Sequence, residues 1–216
     1  MDLKAHWERV YRTKEANTLS WHQAQSTRSL ELMAQVPGDA RNRAIIDVGG
    51  GDSTLVDALV ALNTGAITVL DLSAAALDRA KDRVGPRGLD VTWLEADVVR
   101  AALPADAYDI WHDRAVFHFL TDGDDQRRYV AAMTHALRPG GTSIIATFAL
   151  DGPASCSGLP VARYSAETLA EVLGADFELV RTFRDVHLTP AGAEQRFTYV
   201  MFRLSMSRAS TWEMET

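Results

Sequence analysis

Apolar residues recur along this chain in two rhythms that alternate. Ala44-Ile45-Ile46-Asp47-Val48 is a short apolar run halted by three glycines, which predicts a buried strand. Leu55, Val56, Leu59, Val60 and Leu62 then recur at helical spacing. Residues 66–71 predict a second strand. Ser73 is placed to cap a helix with Leu77, Ala80 and Val84 on one face. Residues 90–95 and 108–112 predict two more strands. A helix over 123–138 is expected to stop at Arg138-Pro139-Gly140-Gly141, before a fifth strand over 142–148. A Gly-, Pro- and Ser-rich loop follows to Tyr164, then a short helix capped by Ser165. Two β-like runs, 177–186 and 196–204, close the pattern. No helix fits between them, so they read as an antiparallel hairpin. Repeated β/α alternation implies an α/β fold, a doubly wound parallel sheet with helices on both faces, made mixed by the hairpin.

Length and charge narrow this picture. The 216 residues suit one domain with a full core. Lys and Arg number 22 against 29 Asp and Glu, a net charge of −7, which argues against nucleic acid as partner. No apolar run approaches membrane-spanning length, and the charged start carries no secretory pattern. With a single cysteine, Cys156, the expected location is the cytoplasm. The spacing of Cys156 and the histidines fits no metal motif, so no metal site is expected. Residues 1–40 are read as an N-terminal helical segment packed on the core as a lid, 41–204 as the main domain, and 205–216 as a polar tail. Oligomeric state is not set by the sequence.

The chemistry concentrates at Asp47-Val48-Gly49-Gly50-Gly51-Asp52. A glycine turn between a strand and a helix lets a ligand lie on backbone N–H groups. Asp71, twenty residues after Gly51, ends the second strand, where an acid accepts hydrogen bonds from ribose hydroxyls. The third glycine of a dinucleotide fingerprint is replaced by Thr54, and no Gly-Lys-Ser/Thr phosphate loop is present. Asp47 at the turn would repel a pyrophosphate and attract an amine. S-adenosylmethionine offers an amino-acid group, a ribose and an adenine, and no phosphate.

These stretches resemble the motifs of class I S-adenosylmethionine-dependent methyltransferases. Ile45 to Gly51 is similar to their first motif and Val69-Leu70-Asp71-Leu72 to their second. Leu94-Glu95-Ala96-Asp97-Val98 is similar to the third, and Leu137 to Gly141 to the turn before the fifth strand. The resemblance implies a Rossmann-like sheet of seven strands with the last antiparallel. It implies that S-adenosylmethionine is held by Asp47, Gly49, Gly50, Gly51 and Asp71, with Leu72 on the adenine and Asp97 and Val98 reading its edge. His6 to Tyr11 and Ser20-Trp21-His22 resemble the opening segments of small methyltransferases of the thiopurine and tellurite-resistance type. Tyr11 and Trp21 are therefore expected to close over the cofactor, and Trp7 to lie in the core.

In that family the segment after the fourth strand flanks the transferring methyl. Here it reads Trp111-His112-Asp113-Arg114-Ala115-Val116-Phe117-His118-Phe119. His112 and His118 are candidate general bases. Asp113 is a candidate for the cofactor amine or a substrate cation, and Arg114 for the substrate. The segment lacks the Asn/Asp-Pro-Pro-aromatic motif of base-modifying relatives. The rim loops add Cys156, Arg163, His187 and Gln195 as candidate acceptor contacts. The expected activity is direct displacement of the methyl onto a small-molecule or protein side-chain acceptor. The alternatives are a catalytically silent S-adenosylmethionine-binding regulatory module and a nicotinamide oxidoreductase, which Thr54 disfavours.

Overall fold

The structure is a computed structural model that describes residues 2–206. Of the expected polar tail, residues 207–216 lie outside the described residues. Strands β1 (Ile45–Val48), β2 (Ile67–Asp71), β3 (Val91–Glu95), β4 (Tyr108–Arg114) and β5 (Leu137–Phe148) run parallel. A small hairpin, β6 (Ser155–Cys156) and β7 (Leu159–Pro160), stands apart. The long hairpin of β8 (Phe177–Leu188) and β9 (Glu194–Leu204) completes the main sheet, in the order β3-β2-β1-β4-β5-β9-β8. β9 is antiparallel to both neighbours, so six strands share one direction and β9 opposes them.

The apolar runs lack strict alternation because both sheet faces are covered. Ile45, Ile110 and Ile144 face one side, with α2 (Thr27–Met33), α3 (Leu55–Ala61) and α4 (Ala74–Val84). Ile46, Trp111 and Ile145 face the other, with α5 (Gly123–Ala136) and α6 (Ala166–Leu173). The predicted caps act as caps: Ser73 accepts from the Ala76 N–H, and Ser165 closes a capping box with Thr168.

Three details differ from the sequence reading. First, α5 ends at Ala136 and β5 begins at once, because Pro139 holds the preceding residue extended. Second, the loop after β5 folds its own hairpin. Its turn residues Ser157 and Gly158 both have positive φ, 51° and 77°, the pairing that suits two-residue hairpins. Third, the first forty residues divide. α1 (Leu3–Thr13) lies over α4, whereas α2 buries Leu32 and Met33 in the main core. The buried Arg43 guanidinium satisfies the carbonyls of Met33, Val36 and Gly38 beyond α2.

Among the described residues no helix is long and apolar enough to cross a membrane.

Candidate active site

At the carboxyl end of β1 the chain turns through Gly49, Gly50 and Gly51. Gly49 has φ +67°, a region costly for any residue with a Cβ, and its N–H bonds the Leu70 carbonyl at 2.7 Å. A Cβ on Gly49 would overlap Val116 Cγ2. A Cβ on Gly50 would sit 2.5 Å from Asp47 Oδ2, and one on Gly51 2.5 Å from Asp71 Oδ2. Two buried carboxylates thus close on a turn that only glycine permits.

Two clefts open from this turn and share a wall of Tyr11, Trp21, Val48, Gly49 and Arg114. The first holds Asp47, Gly50, Ser29, His112 and the start of the α3 turn, Asp52 to Thr54. The second holds Asp71, Leu72, Asp97 and Val98, and is otherwise apolar, with Trp7, Phe119, Leu120 and Cys156. Rings of Trp7, Trp21 and Phe119 meet edge to face, Trp7 lying 5.6 Å from Trp21 and 5.2 Å from Phe119. Trp7, expected in the core, packs partly buried against the Val10, Tyr11, Leu19 and Ala76 cluster and also forms part of the cleft wall.

Burial pushes the Asp71 carboxyl up to about 7, against the Ser73 N–H at 2.8 Å that favours its ionised form; Asp47 and Glu8 push it further up. α1 is fastened over this acid by its own acid. Glu8 Oε1 accepts the N–H of Ala74 at 2.6 Å, at the positive end of α4, and Lys4 pairs with Glu95. The Arg12 guanidinium, with the N–H groups of Ala74 and Ala75, holds the Glu8 carboxyl below the usual range despite the opposing effect of its burial. Glu8→Ala is expected to loosen α1 and weaken binding in the second cleft by about fivefold, the loss of one helix-end bond of ~1 kcal/mol. Titration calorimetry checks this; unchanged affinity would mean that α1 does not stabilise the bound state.

The segment after β4 is less uniform than its sequence suggests. Asp113 points away from both clefts. Its oxygens accept from the N–H groups of Val116 (2.8 Å) and Phe117 (3.0 Å) and from the Tyr129 hydroxyl (2.6 Å). Burial raises its carboxyl to about 6 despite those bonds. It pins the loop rather than lining a cleft. His118 is fully buried between Phe119 and Phe148, and its Nδ1 accepts the Phe148 N–H at 3.3 Å. Burial, with Arg114 adding to it, lowers its pKa to about 3, so it stays neutral and inside. His112 lines the first cleft with both ring nitrogens engaged, by Asp47 and Ser29.

Arg114 lines both clefts. Its Nε donates to the Tyr199 hydroxyl (3.1 Å), its Nη1 to the Trp21 carbonyl (3.0 Å), and its carbon Cζ sits 4.7 Å from the Phe197 ring centroid. Its Nη2 is buried with no protein partner. Cys156 lines the second cleft, its thiol pushed up by burial. Arg163, His187 and Gln195 line neither cleft. Arg163 is turned to the Gly152 carbonyl at 3.3 Å. His187 Nε2 donates to the Ser20 carbonyl at 2.8 Å, and Gln195 is its cross-strand neighbour. The long β8–β9 hairpin therefore reaches the opening segment and braces its backbone.

A family model described as a methyltransferase domain matches residues 45–141. An uncharacterized methyltransferase of Mycobacterium tuberculosis is 32% identical over 117 residues, 54% of this chain and 55% of that one. The chain thus spans about half the length of this curated relative. A structure solved for the conversion of a disulfide bond into a thioacetal group during echinomycin biosynthesis superposes with a TM-score of 0.76 at 21% identity, covering 96% of this chain and 95% of that one. The Burkholderia thailandensis 1,6-didemethyltoxoflavin-N1-methyltransferase, solved with that compound and S-adenosylhomocysteine, gives 0.69 at 20% identity, covering 94% and 87%. Residues 45–141 thus match a methyltransferase domain, and the chain shares its fold with these solved structures.

Several residues of this site carry no sequence signal. Three core side chains hold the opening segment by its carbonyls: His187 at Ser20, Arg114 at Trp21, and Thr54 at Gln23 (3.1 Å). Any residue type supplies a carbonyl, so the sequence does not show these contacts. Tyr199 and Ser29 sit in runs read only as strand and helix. Glu8 was visible as part of a charged, amphipathic opening; its distant partner at Ala74 was not.

Proposed function

We propose that this chain transfers a methyl group from S-adenosylmethionine to a small-molecule acceptor. The observation that carries this reading is the glycine turn closed by Asp47 and Asp71. The turn leaves backbone room for a ligand, and the two acids fit the opposite ends of a phosphate-free, cationic cofactor. In this reading Asp71 takes the ribose hydroxyls. Leu72, Asp97 and Val98 border the adenine, Asp47 with Gly49 and Gly50 takes the amino-acid end, and Tyr11 and Trp21 cover the middle. When bound, S-adenosylmethionine supplies a methyl carbon on cationic sulfur, which an acceptor lone pair takes as the C–S electron pair returns to sulfur.

The protein's part is positioning and exclusion of water. Of the two expected general bases, His118 is turned into the fold and His112 is doubly bonded, and Asp113 is turned inward as well. None stands free as a general base, so the acceptor arrives able to attack without one. Arg114 supports that reading. Its open Nη2 beside an aromatic wall fits a flat, apolar acceptor bearing an acidic group.

The first test is calorimetry with S-adenosylhomocysteine, then an acceptor screen read by its release. No binding at about 1 mM, an affinity weaker than about 4 kcal/mol, would overturn the reading. Binding without turnover on any acceptor would leave the silent module instead. Arg114→Met is expected to lower kcat/KM about tenfold for an acidic acceptor, the value of one bond to a charged group. Equal losses for neutral and acidic acceptors would remove Arg114 from that role.

A further inference from the structure

Behind the first cleft lie three buried polar side chains from three separate elements. Asp47 ends β1, His112 stands beside it on β4 in direct register, and Ser29 comes from α2. Asp47 Oδ1 is 2.7 Å from His112 Nδ1, and His112 Nε2 is 2.8 Å from Ser29 Oγ. Exposures are 2%, 3% and 1% respectively, so no bond in this set is diluted by solvent. The other carboxylate oxygen, Asp47 Oδ2, is buried without a protein partner and is aimed at Gly50. A buried carboxylate oxygen left open at a glycine turn is costly unless a ligand donor meets it.

The same three residue types form a hydrolytic relay in other proteins. Here Ser29 is enclosed, and its hydroxyl is bonded to the His112 imidazole. The direction of use is therefore reversed: serine holds the imidazole, and the imidazole holds the acid. With Oδ1 fixed, Asp47 has one rotamer and one free oxygen to offer.

We propose that Ser29 and His112 are positioning residues that present Asp47 Oδ2 to the cationic amino group of the cofactor, and so select a ligand carrying an amino-acid tail. This rests on the placement of the cofactor given above. It assigns His112 to cofactor binding, in place of the general-base role its sequence position suggests.

Two ligands separate this from general damage to the fold. S-adenosylhomocysteine carries the amino-acid tail, and methylthioadenosine has the same nucleoside and sulfur without it. The full chain is titrated with each by calorimetry. Ser29→Ala is expected to weaken S-adenosylhomocysteine about tenfold and methylthioadenosine by less than about twofold, since only the former meets Asp47. His112→Leu should do the same more strongly. His112→Asn, which keeps a donor toward Asp47, should recover part of the loss. Equal weakening of both ligands, or S-adenosylhomocysteine affinity held within about twofold in both Ser29→Ala and His112→Leu, would overturn the proposal. If the parent protein binds neither ligand, the cofactor placement itself fails, before any variant is made.

Discussion

Gly49→Ala is expected to lower affinity for S-adenosylhomocysteine about a hundredfold and to lower the melting temperature. Two independent costs meet at this position. The backbone sits at φ +67°, which costs a residue with a Cβ about 1–2 kcal/mol. The added carbon also overlaps Val116 Cγ2, and overpacking a fixed site costs about 1–3 kcal/mol. The Gly49 N–H is bonded to the Leu70 carbonyl, so the turn relieves the overlap only by moving off β2. Such a movement carries Asp47 and Asp71 apart. The double variant Gly49→Ala with Val116→Ala removes Cγ2 but keeps the φ cost, and should recover about half of the loss in a double-mutant cycle. Calorimetry and a thermal melt measure both effects. A Gly49→Ala protein that binds like the parent would show that the turn is not the cradle.

That turn was legible in the sequence because it combines two local signals. The glycines mark a backbone that a side chain would obstruct, and the strand before them marks where it lies. The strands themselves were legible for the same reason: Ile45, Ile46 and Val48 alternate between two covered faces, so burial alone identifies them. Asp113 and His118 show the limit. A polar residue after a strand reads as a site residue, yet whether it faces the cleft or the fold depends on partners distant in sequence. Tyr129, 16 residues on, turns Asp113 inward at 2.6 Å, and Phe148, 30 residues on, gives His118 its N–H. Trp7 does both, packing on the cluster of Val10, Tyr11, Leu19 and Ala76 while its ring also walls a cleft that only the folded chain reveals. The braces at the carbonyls of Ser20, Trp21 and Gln23 had no signal to read, because the recognised atoms belong to the backbone.

The second large effect follows from the charge on Asp71, and it has opposite signs for folding and for binding. Its folded pKa is raised to about 7 from an ordinary 3.8, chiefly by burial. Between about pH 4 and pH 7 the folded state therefore holds a proton that the unfolded chain has lost. Stability falls as pH rises through that window and stays low above it, by an order of magnitude of ~4 kcal/mol. Asp71→Asn removes the ionisation and should melt higher than the parent at pH 8, with little gain at pH 4. A bound ribose acts on the other side of the balance. Its hydroxyls donate, so they favour the ionised carboxylate that the empty fold resists. Affinity for S-adenosylhomocysteine should rise with pH up to about 7 and then level, with proton release on binding near pH 6. In Asp71→Asn the pH slope should vanish and affinity at pH 8 should drop about tenfold to a hundredfold, the value of charge-assisted bonds of ~1.5–3 kcal/mol. Calorimetry in two buffers of different ionisation enthalpy measures the proton directly. A variant that is both more stable and a weaker binder at pH 8 identifies Asp71 as a carboxylate that the fold holds at a cost and the ligand needs. Undiminished binding by Asp71→Asn at that pH would place the ribose elsewhere.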